Sequence, residues 1–177
     1  MNTHMQKPID NSYWVVPGKF LAGEYPRNKD LDSSIIKIRD ILHAGVTCFI
    51  DLTESRDGLE PYTGLLDDSS DNKVSYNKFS IHDVSVPDDM QQMSDILDAI
   101  DTALHKGETV YVHCWGGIGR TGIVVGCWLS RHGFEGKPAL KKLEDLWSDC
   151  PKSAFRKSPE TTQQEQYIVN WKEGRSN

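Results

Sequence analysis

The sequence lacks the features that mark membrane proteins and secreted proteins. It contains no run of eighteen or more apolar residues, so we expect no transmembrane helix and no membrane partner. Its first fourteen residues, MNTHMQKPIDNSYW, are polar and contain no apolar stretch of the kind found in a secretory signal. A cytoplasmic location is therefore the default expectation.

Cysteine is scarce, and its few positions argue against a structural framework. The chain has four cysteines, which are Cys48, Cys114, Cys127 and Cys150. None belongs to a CxxC pair, and the histidines do not cluster with them. This pattern predicts neither a disulfide scaffold nor a structural zinc site, so each cysteine needs an individual role.

Positive charge is in deficit. Twenty Lys and Arg residues face 26 Asp and Glu residues, which gives a formal net charge of -6. Proteins that bind nucleic acid normally present a basic surface, so we expect no nucleic-acid partner. An acidic protein can still bind phosphate where hydrogen-bond donors are concentrated locally.

The chain length of 177 residues suits a single domain, in which we expect residues 1–12 to form a flexible N-terminal segment. Strands are predicted within residues 13–23 (two strands broken at Pro17-Gly18), 46–52, 75–81 and 109–114. Helices are predicted over 31–42, from Asp88 or Asp89 to 105, over 121–130, 136–147 and 158–171. This alternation predicts an α/β domain whose central, mainly parallel sheet is flanked by helices.

Two segments are harder to interpret. Residues 53–73 are rich in Asp, Ser and Gly, which predicts a long loop with a short helix around residues 62–66. Near the end of the chain, Ser158-Pro159-Glu160 has the pattern of an N-cap, a proline at the first helical position and an acidic first turn. We therefore expect the last helix to begin there and to continue through Trp171.

The stretch VYVHCWGGIGRTGIVVG, residues 110–126, can be interpreted in two ways. Its glycines fit the dinucleotide-binding fingerprint GxGxxG, which also requires an acidic residue about twenty positions on, at the end of a second strand. Glu144 and Asp145 have that spacing but lie in a helical pattern. A nucleotide-binding P-loop is excluded because the required lysine is missing. The dinucleotide interpretation is therefore disfavoured.

The alternative interpretation accounts for the polar residues of the same stretch. Cys114 is followed by five residues and then by Arg120, between a predicted strand and a predicted helix. Backbone N–H groups at a helix N-terminus, together with an arginine fork, bind phosphate and favour the thiolate form of a nearby cysteine. Gly116, Gly117 and Gly119 would allow close backbone approach and positive φ.

The nine residues from His113 to Thr121, HCWGGIGRT, resemble the signature loop of the cysteine-dependent protein tyrosine phosphatases. The chain length is similar to the dual-specificity branch. The position of the loop, two-thirds along the sequence, differs from the low-molecular-weight phosphatases and arsenate reductases, whose loop lies near the N-terminus. The resemblance extends from about Tyr13 to Trp171 but is weak outside the loop. It implies that Trp115, Gly116, Gly117, Ile118, Gly119 and Arg120 bind the substrate phosphate.

The resemblance also implies catalytic roles. Cys114 would be the nucleophile, Arg120 would stabilise the phosphoryl group, and the Thr121 hydroxyl would bond the cysteine sulfur. His113 would order the loop through hydrogen bonds rather than transfer protons. Asp83, thirty-one positions before Cys114 (114 − 83) in the segment FSIHDVSVP, matches the general acid of the family. Asp88 is the second candidate, with helix capping as its alternative role.

Other features of the family are less well matched. Some members protect the nucleophile by a disulfide with a second cysteine, which Cys48 could form only if its strand lies beside that of Cys114. The sequence shows no counterpart of the Asn-Arg-Tyr element of the tyrosine-specific enzymes. Residues 161–166, TTQQEQ, resemble their glutamine-bearing segment, although polarity of a helix surface explains this stretch equally well. Trp115 would shape the pocket or pack beneath it.

We therefore expect a phosphomonoester hydrolase that needs no metal or cofactor and forms a cysteinyl-phosphate intermediate. The loop contains no lysine to match a highly phosphorylated inositol, so a phosphorylated protein is the expected substrate, with phosphotyrosine preferred. A binding module for phosphorylated residues and an inositol phosphate phosphatase are the alternatives. Lys152, Arg156 and Lys157 would border the active site or form a solvated basic loop. A monomer is the default expectation.

Overall fold

A computed structural model describes residues 5–69 and 73–173. Its centre is a five-stranded sheet with the order β1-β2-β5-β3-β4. The strands are β1 (Ser12–Val16), β2 (Phe20–Gly23), β3 (Cys48–Asp51), β4 (Ser75–Lys78) and β5 (Val110–His113). Only the pair β1–β2 is antiparallel, and the other neighbouring pairs are parallel. The predicted α/β domain with a mainly parallel sheet is confirmed.

In the described part of the chain, six α-helices cover the two faces of the sheet. They are α1 (Leu31–His43), α2 (Thr63–Ser69), α3 (Met90–His105), α4 (Gly119–Arg131), α5 (Lys137–Trp147) and α6 (Thr162–Asn170). Alternate residues of a strand point to opposite faces. On β5, Val110 and Val112 pack with α3 to α6, whereas Tyr111 packs with α1 and α2. None of the helices within the described residues has the length and apolar character needed to cross a membrane.

The helix starts were predicted with mixed success. Asp89, rather than Asp88, caps α3, because its side chain accepts a hydrogen bond from the backbone N–H of Gln92 at 2.8 Å. Asp88 is exposed and precedes the cap, so the capping role suggested for it is wrong. In the predicted long loop, a short 3-10 turn occupies Ser55–Asp57 and α2 follows, while residues 70–72 lie outside the described range.

The start of the last helix was placed too early. Thr161 caps α6 by accepting from the backbone N–H of Gln164 at 3.1 Å, and the Gln164 side chain accepts in return from the Thr161 N–H. This reciprocal capping box fixes the first turn. Ser158 lies three residues before this cap, and its buried hydroxyl donates to the carbonyl of Ile118 at 2.6 Å instead of capping the helix.

Strand register brings the ends of three parallel strands together. Gly23 of β2 and Asp51 of β3 both lie opposite His113 of β5. The residues that follow these strands therefore enter loops at one edge of the sheet, where parallel α/β folds bind ligands. Cys114 is among them.

The same register excludes the protective disulfide considered for Cys48. Its strand is indeed adjacent, but Cys48 lies opposite Val110, four residues before Cys114. At ~3.3 Å per residue this separation is about 13 Å along the strand, which exceeds the reach of a disulfide. Cys48 is a buried residue at the opposite end of the sheet.

The N-terminal segment makes contacts from residue 6 onward. The Trp14 indole donates to the carbonyl of Gln6 at 3.3 Å, and the Lys7 ammonium donates to the carbonyls of Asp10 and Asp149. Ser12 already belongs to β1. Residues 1–4 of the segment predicted to be flexible lie outside the described residues.

Candidate active site

The loop from Cys114 to Ile118 connects β5 to α4 and packs tightly against the end of β2. The Tyr25 N–H donates to the carbonyl of Trp115 at 2.9 Å. Gly117 has a φ of 72°, and an added Cβ there would lie 2.5 Å from the carbonyl carbon of Gly23. Among the three glycines of the loop, positive φ occurs only at Gly117. Close backbone approach therefore fixes the course of the loop.

The N-terminus of α4 lies at the Cys114 cleft, which Gly119 and Glu160 help to line. No side chain caps this helix, and its first turn contains no acidic residue. The backbone N–H groups at a helix start carry a partial positive charge and bind anions. This end of α4 thus offers the donors that the sequence predicted for a phosphate.

Arg120 is buried beside the loop and is held from one side. Its Nη1 donates to Asp57 Oδ2 at 2.7 Å and to the carbonyl of Ile81 at 3.2 Å. Its Nη2 lies 3.0 Å from Asp83 Oδ1, and its Nε is buried without a partner among the described residues. Burial alone would lower the pKa of Arg120, but the charges of Cys114, Asp57 and Asp83 outweigh burial and raise it. The Nε–Nη2 edge of the fork is the edge left for a ligand.

Asp57 is a site residue that the sequence analysis missed. Its side chain is only 4% exposed, and Oδ2 accepts hydrogen bonds from both Arg120 Nη1 and the backbone N–H of Glu54, the latter at 3.0 Å. The signal was indirect: a buried guanidinium needs a carboxylate, but the segment 53–73 contains several acidic residues and no motif that distinguishes one of them.

Asp83 lies where the sequence placed it, above the loop. Together with Cys114 it lines a cleft of about 410 Å³, and its side chain is 41% exposed. The next residue, Val84, has a φ of 58°, which is an uncommon conformation for a β-branched residue and is typical of functional loops. Asp88 is not among the residues that line this cleft.

Thr121 and His113 flank the loop on its buried side. The Thr121 hydroxyl is buried and has no hydrogen-bond partner among the described residues, so the bond to the cysteine sulfur that the resemblance implies is not formed in this structure. His113 Nδ1 donates to the carbonyl of Cys114 at 3.1 Å, and Nε2 accepts from the Tyr62 hydroxyl at 2.7 Å. Because a carbonyl can only accept, the contact with Cys114 places a proton on Nδ1, and in the neutral imidazole Nε2 then accepts from Tyr62.

The surroundings of His113 favour that neutral form. Burial lowers the pKa of His113, and the Asp51 carboxylate, 4.0 Å from Nδ1, only partly offsets the effect. Asp51 is itself satisfied by the hydroxyls of Thr53 at 2.6 Å and Tyr76 at 2.7 Å. This network links the start of the loop to Tyr62 and, through Asp51, to β3.

Two of the three predicted basic residues reach the cleft. Lys152 lines it and donates to Glu24 Oε2 at 2.8 Å and to the carbonyl of Gly116 at 3.0 Å. Arg156 also lines it and pairs with Glu160 at 3.0 Å. Lys157 pairs with Glu165 and does not line the cleft. Lys152 therefore ties the Cys loop to the residue that follows β2.

The structure distinguishes between the alternative roles suggested for Trp115 and for the segment of Gln164. Trp115 is 58% exposed and lines the mouth of the cleft, so it shapes the pocket rather than packing beneath it. Gln164 is fully buried and donates to the carbonyl of Ser85 at 3.0 Å, in the segment that follows Asp83. Polarity of a helix surface therefore does not explain Gln164, which joins α6 to the loop of the candidate acid.

The remaining cysteines are core residues. Burial raises the pKa of Cys127, and it raises the pKa of Cys150 to about 11. The Cys150 thiol donates to the carbonyl of Ser12 at 3.4 Å. Within the described part of the chain, no group of three or more His, Cys, Asp and Glu side chains is arranged to hold a metal ion.

Comparison with known proteins identifies a family and a fold. Residues 10–168 match the family described as "PTP-SAK: Swiss Army Knife protein, DSP-PTPase phosphatase domain". A curated protein of Invertebrate iridescent virus 3, named "Putative tyrosine phosphatase 067L", is 30% identical over 125 residues. That match covers 69% of this chain and 47% of the viral protein, so the chain spans about half the length of this relative.

Solved structures of phosphatases share the fold. The structure of Tk-PTP in its active form covers 89% of this chain and 93% of its own, with 19% identity and a TM-score of 0.70. The structure of PTPMT1 in complex with PI(5)P covers 90% of this chain and 93% of its own, with 16% identity and a TM-score of 0.66. At these identities the likeness concerns the fold alone.

Proposed function

The chain belongs to the DSP-PTPase phosphatase domain family, and from this premise we propose that it hydrolyses phosphate monoesters on protein side chains, phosphotyrosine first, through a cysteinyl-phosphate intermediate. The observation that carries the proposal is that Cys114 and Asp83 line one cleft, while the Nε–Nη2 edge of Arg120, contacted among the described residues only by the partly exposed Asp83, lies beside the uncapped start of α4. A nucleophile, an acid and a phosphate cradle are thereby brought together.

In the first step, the Cys114 thiolate attacks phosphorus while the bond to the leaving oxygen breaks. The phosphate takes the Nε–Nη2 edge of Arg120 and so displaces Asp83 from its contact with Nη2. The released Asp83 carboxylate takes up a proton from solvent and, as the neutral carboxyl, donates it to the leaving oxygen. Asp57 stays on Nη1 throughout and keeps the guanidinium plane in position.

In the second step, water attacks phosphorus and the P–S bond breaks. The Asp83 carboxylate accepts the proton of that water, inorganic phosphate leaves, and the thiolate is restored. The buried Thr121 hydroxyl, which lacks a partner, is available to donate to the departing sulfur. His113 donates from Nδ1 to the Cys114 carbonyl and moves no proton.

A phosphoprotein substrate is favoured by charge. The five residues between Cys114 and Arg120 are Trp, Gly, Gly, Ile and Gly, and the chain has a net charge of -6. A polyphosphorylated inositol would meet no cation inside the loop and long-range repulsion outside it. PTPMT1, whose solved complex contains PI(5)P, shares the fold and makes an inositol lipid the second candidate substrate.

The covalent mechanism is tested by turnover of p-nitrophenyl phosphate in EDTA, comparing wild type, Cys114→Ser and the matched control Cys150→Ser. We expect turnover by wild type and by Cys150→Ser, and none by Cys114→Ser, which should still bind phosphotyrosyl peptide. Appreciable activity of Cys114→Ser would contradict the covalent route. Binding without turnover by wild type would instead identify a binding module.

The substrate class is tested by kcat/KM on phosphotyrosyl peptides, phosphoseryl peptides and soluble inositol phosphates. We expect the order phosphotyrosine, then phosphoserine, then inositol phosphate. A clear preference for inositol phosphates would overturn the substrate proposal and leave the mechanism intact.

A further inference from the structure

A second cleft opens on the other side of Trp115. Its volume is about 380 Å³, and it shares Trp115 and Glu24 with the Cys114 cleft. Its remaining walls include Tyr25, Arg27, Lys29, Leu59 and Glu60. The exposed indole therefore stands between two adjoining cavities, of which only one contains the nucleophile.

Arg27 in this cleft is a half-buried cation without an acidic partner. Its one hydrogen bond within the described residues runs from Nη1 to the carbonyl of Pro61 at 2.6 Å. Its Nε is buried without a partner, and no described carboxylate lies within 4.0 Å of the guanidinium. Leaving a guanidinium donor unpaired and out of water is costly, so the position is suited to an anionic ligand.

The other charges of the cleft do not compensate Arg27. Glu24 is occupied by Lys37 and Lys152, both at 2.8 Å, and Asp57 is occupied by Arg120. Lys29 is exposed and forms no ion pair among the described residues. Glu60, also exposed and unpaired in the same part of the chain, is the one opposing charge. An excess of positive charge remains, although the chain as a whole is acidic.

We propose that this second cleft is an anion subsite that binds a second phosphate monoester on the same peptide substrate, through Arg27 and Lys29. The proposal rests on the proposed function. A substrate whose reacting phosphate lies over Cys114 crosses the Trp115 indole to reach the second cleft, because both cavities share that side chain. The cation missing from the Cys loop is thus supplied by the neighbouring cavity.

The test uses calorimetry in the Cys114→Ser background, so that bound peptide is not consumed. The ligands are a phosphotyrosyl peptide and a series that adds one phosphoserine at each position from three before to three after the phosphotyrosine. We expect at least one doubly phosphorylated peptide to bind about 10-fold more tightly than the singly phosphorylated one. Arg27→Met and Lys29→Met should reduce that ratio toward one.

The matched control is Lys19→Met, which removes an exposed lysine at the start of β2, at the opposite edge of the sheet. Lys19→Met should keep the wild-type ratio of affinities for the doubly and the singly phosphorylated peptide. Because the readout is a ratio within each variant, a general loss of affinity cancels. If Arg27→Met lost affinity equally for the singly and the doubly phosphorylated peptide, Arg27 would act only through the Pro61 segment. That result would overturn the subsite.

Two further outcomes separate this proposal from the one on which it rests. If wild type hydrolyses the singly phosphorylated peptide but no second phosphate improves binding, the subsite is wrong and the proposed function stands. If soluble inositol bisphosphate shows an Arg27-dependent gain over inositol monophosphate and no peptide does, the peptide source of the anion is wrong. Absence of binding and of turnover for every phosphopeptide overturns both.

Discussion

The two aspartates on Arg120 divide the site into a buried half and an exposed half. Asp57 holds Nη1 with a side chain that is 4% exposed, whereas Asp83 contacts Nη2 with a side chain that is 41% exposed. The same type of ion pair therefore occurs twice on one guanidinium, in different surroundings. The difference agrees with the proposed roles, in which Asp57 positions the arginine and Asp83 acts as the acid.

The segments that carry the two aspartates explain this division. The chain after Asp57 is fixed by the Tyr25 hydroxyl, which donates to the carbonyl of Glu60 at 2.9 Å, and by Arg27 on the carbonyl of Pro61. Asp83 precedes Val84, whose positive φ turns the chain at the surface. Asp57 is held by its neighbours, whereas Asp83 stays partly exposed, although its segment is joined to α6 by the Gln164 side chain on the Ser85 carbonyl.

The largest expected effect is that of Asp83→Asn on turnover. Loss of a general acid should lower kcat/KM for phosphotyrosyl peptides by about 10²–10⁴-fold and flatten the alkaline limb of the pH profile. p-Nitrophenyl phosphate has a better leaving group and should be affected less. Asp88→Asn, at an exposed neighbouring position, is the control and should behave as wild type. An unchanged profile in Asp83→Asn would assign the acid elsewhere.

The next effect is that of Asp57→Asn on stability. Removing the carboxylate leaves the buried Arg120 charge undercompensated, which should reduce the free energy of unfolding by about 3 kcal/mol. Asp83→Asn breaks a partly exposed pair and should cost under ~1 kcal/mol. Urea unfolding of both variants measures the contrast. Equal losses would show that burial does not distinguish the two carboxylates.

The same contrast separates what the sequence revealed from what it did not. Cys114, Arg120 and the glycines between them lie within seven consecutive residues, so a short motif reveals them. Asp83 follows from a fixed offset within a family resemblance. Asp57 is 63 residues from Arg120, and the two meet only through the packing of loops at the sheet edge. No local sequence pattern predicts this contact.

Competition between local signals explains the other misses. Ser158-Pro159 and Thr161 both carry helix-start chemistry, and the choice depends on which hydroxyl accepts the backbone N–H of the first helical turn after folding, which is that of Thr161. The carbonyl of Ile118, forty residues away, takes the Ser158 hydroxyl. Likewise, a Cys48 disulfide required both adjacent strands and a register that places Cys48 beside Cys114. The sequence did not reveal the register, which places Cys48 opposite Val110. Long-range contacts decided each case.

The smallest expected effect is a pH dependence of stability that arises in the buried half of the site. Burial lowers the pKa of His113 below its usual value of about 6.5, despite the raising effect of Asp51. The unfolded chain therefore binds the His113 proton at a higher pH than the folded chain. The resulting contribution to stability is fully present above about pH 6.5 and is lost as the pH falls toward the folded-state pKa of His113.

Urea unfolding between pH 7.5 and pH 5 measures this contribution, whose slope for one group is at most ~1.4 kcal/mol per pH unit. The carboxyls of Asp51 and Glu24 do not obscure this contribution. Burial raises the pKa of both groups, but their hydrogen-bond and charge partners outweigh burial and lower the pKa, so both stay ionised in this range.

His113→Asn should remove this part of the slope. Tyr62→Phe removes the hydroxyl on Nε2 but keeps the imidazole, so it should lower stability and retain the slope. If His113→Asn and wild type lose stability in parallel on acidification, His113 is not the group that titrates, and the buried half of the site is insensitive to pH in this range.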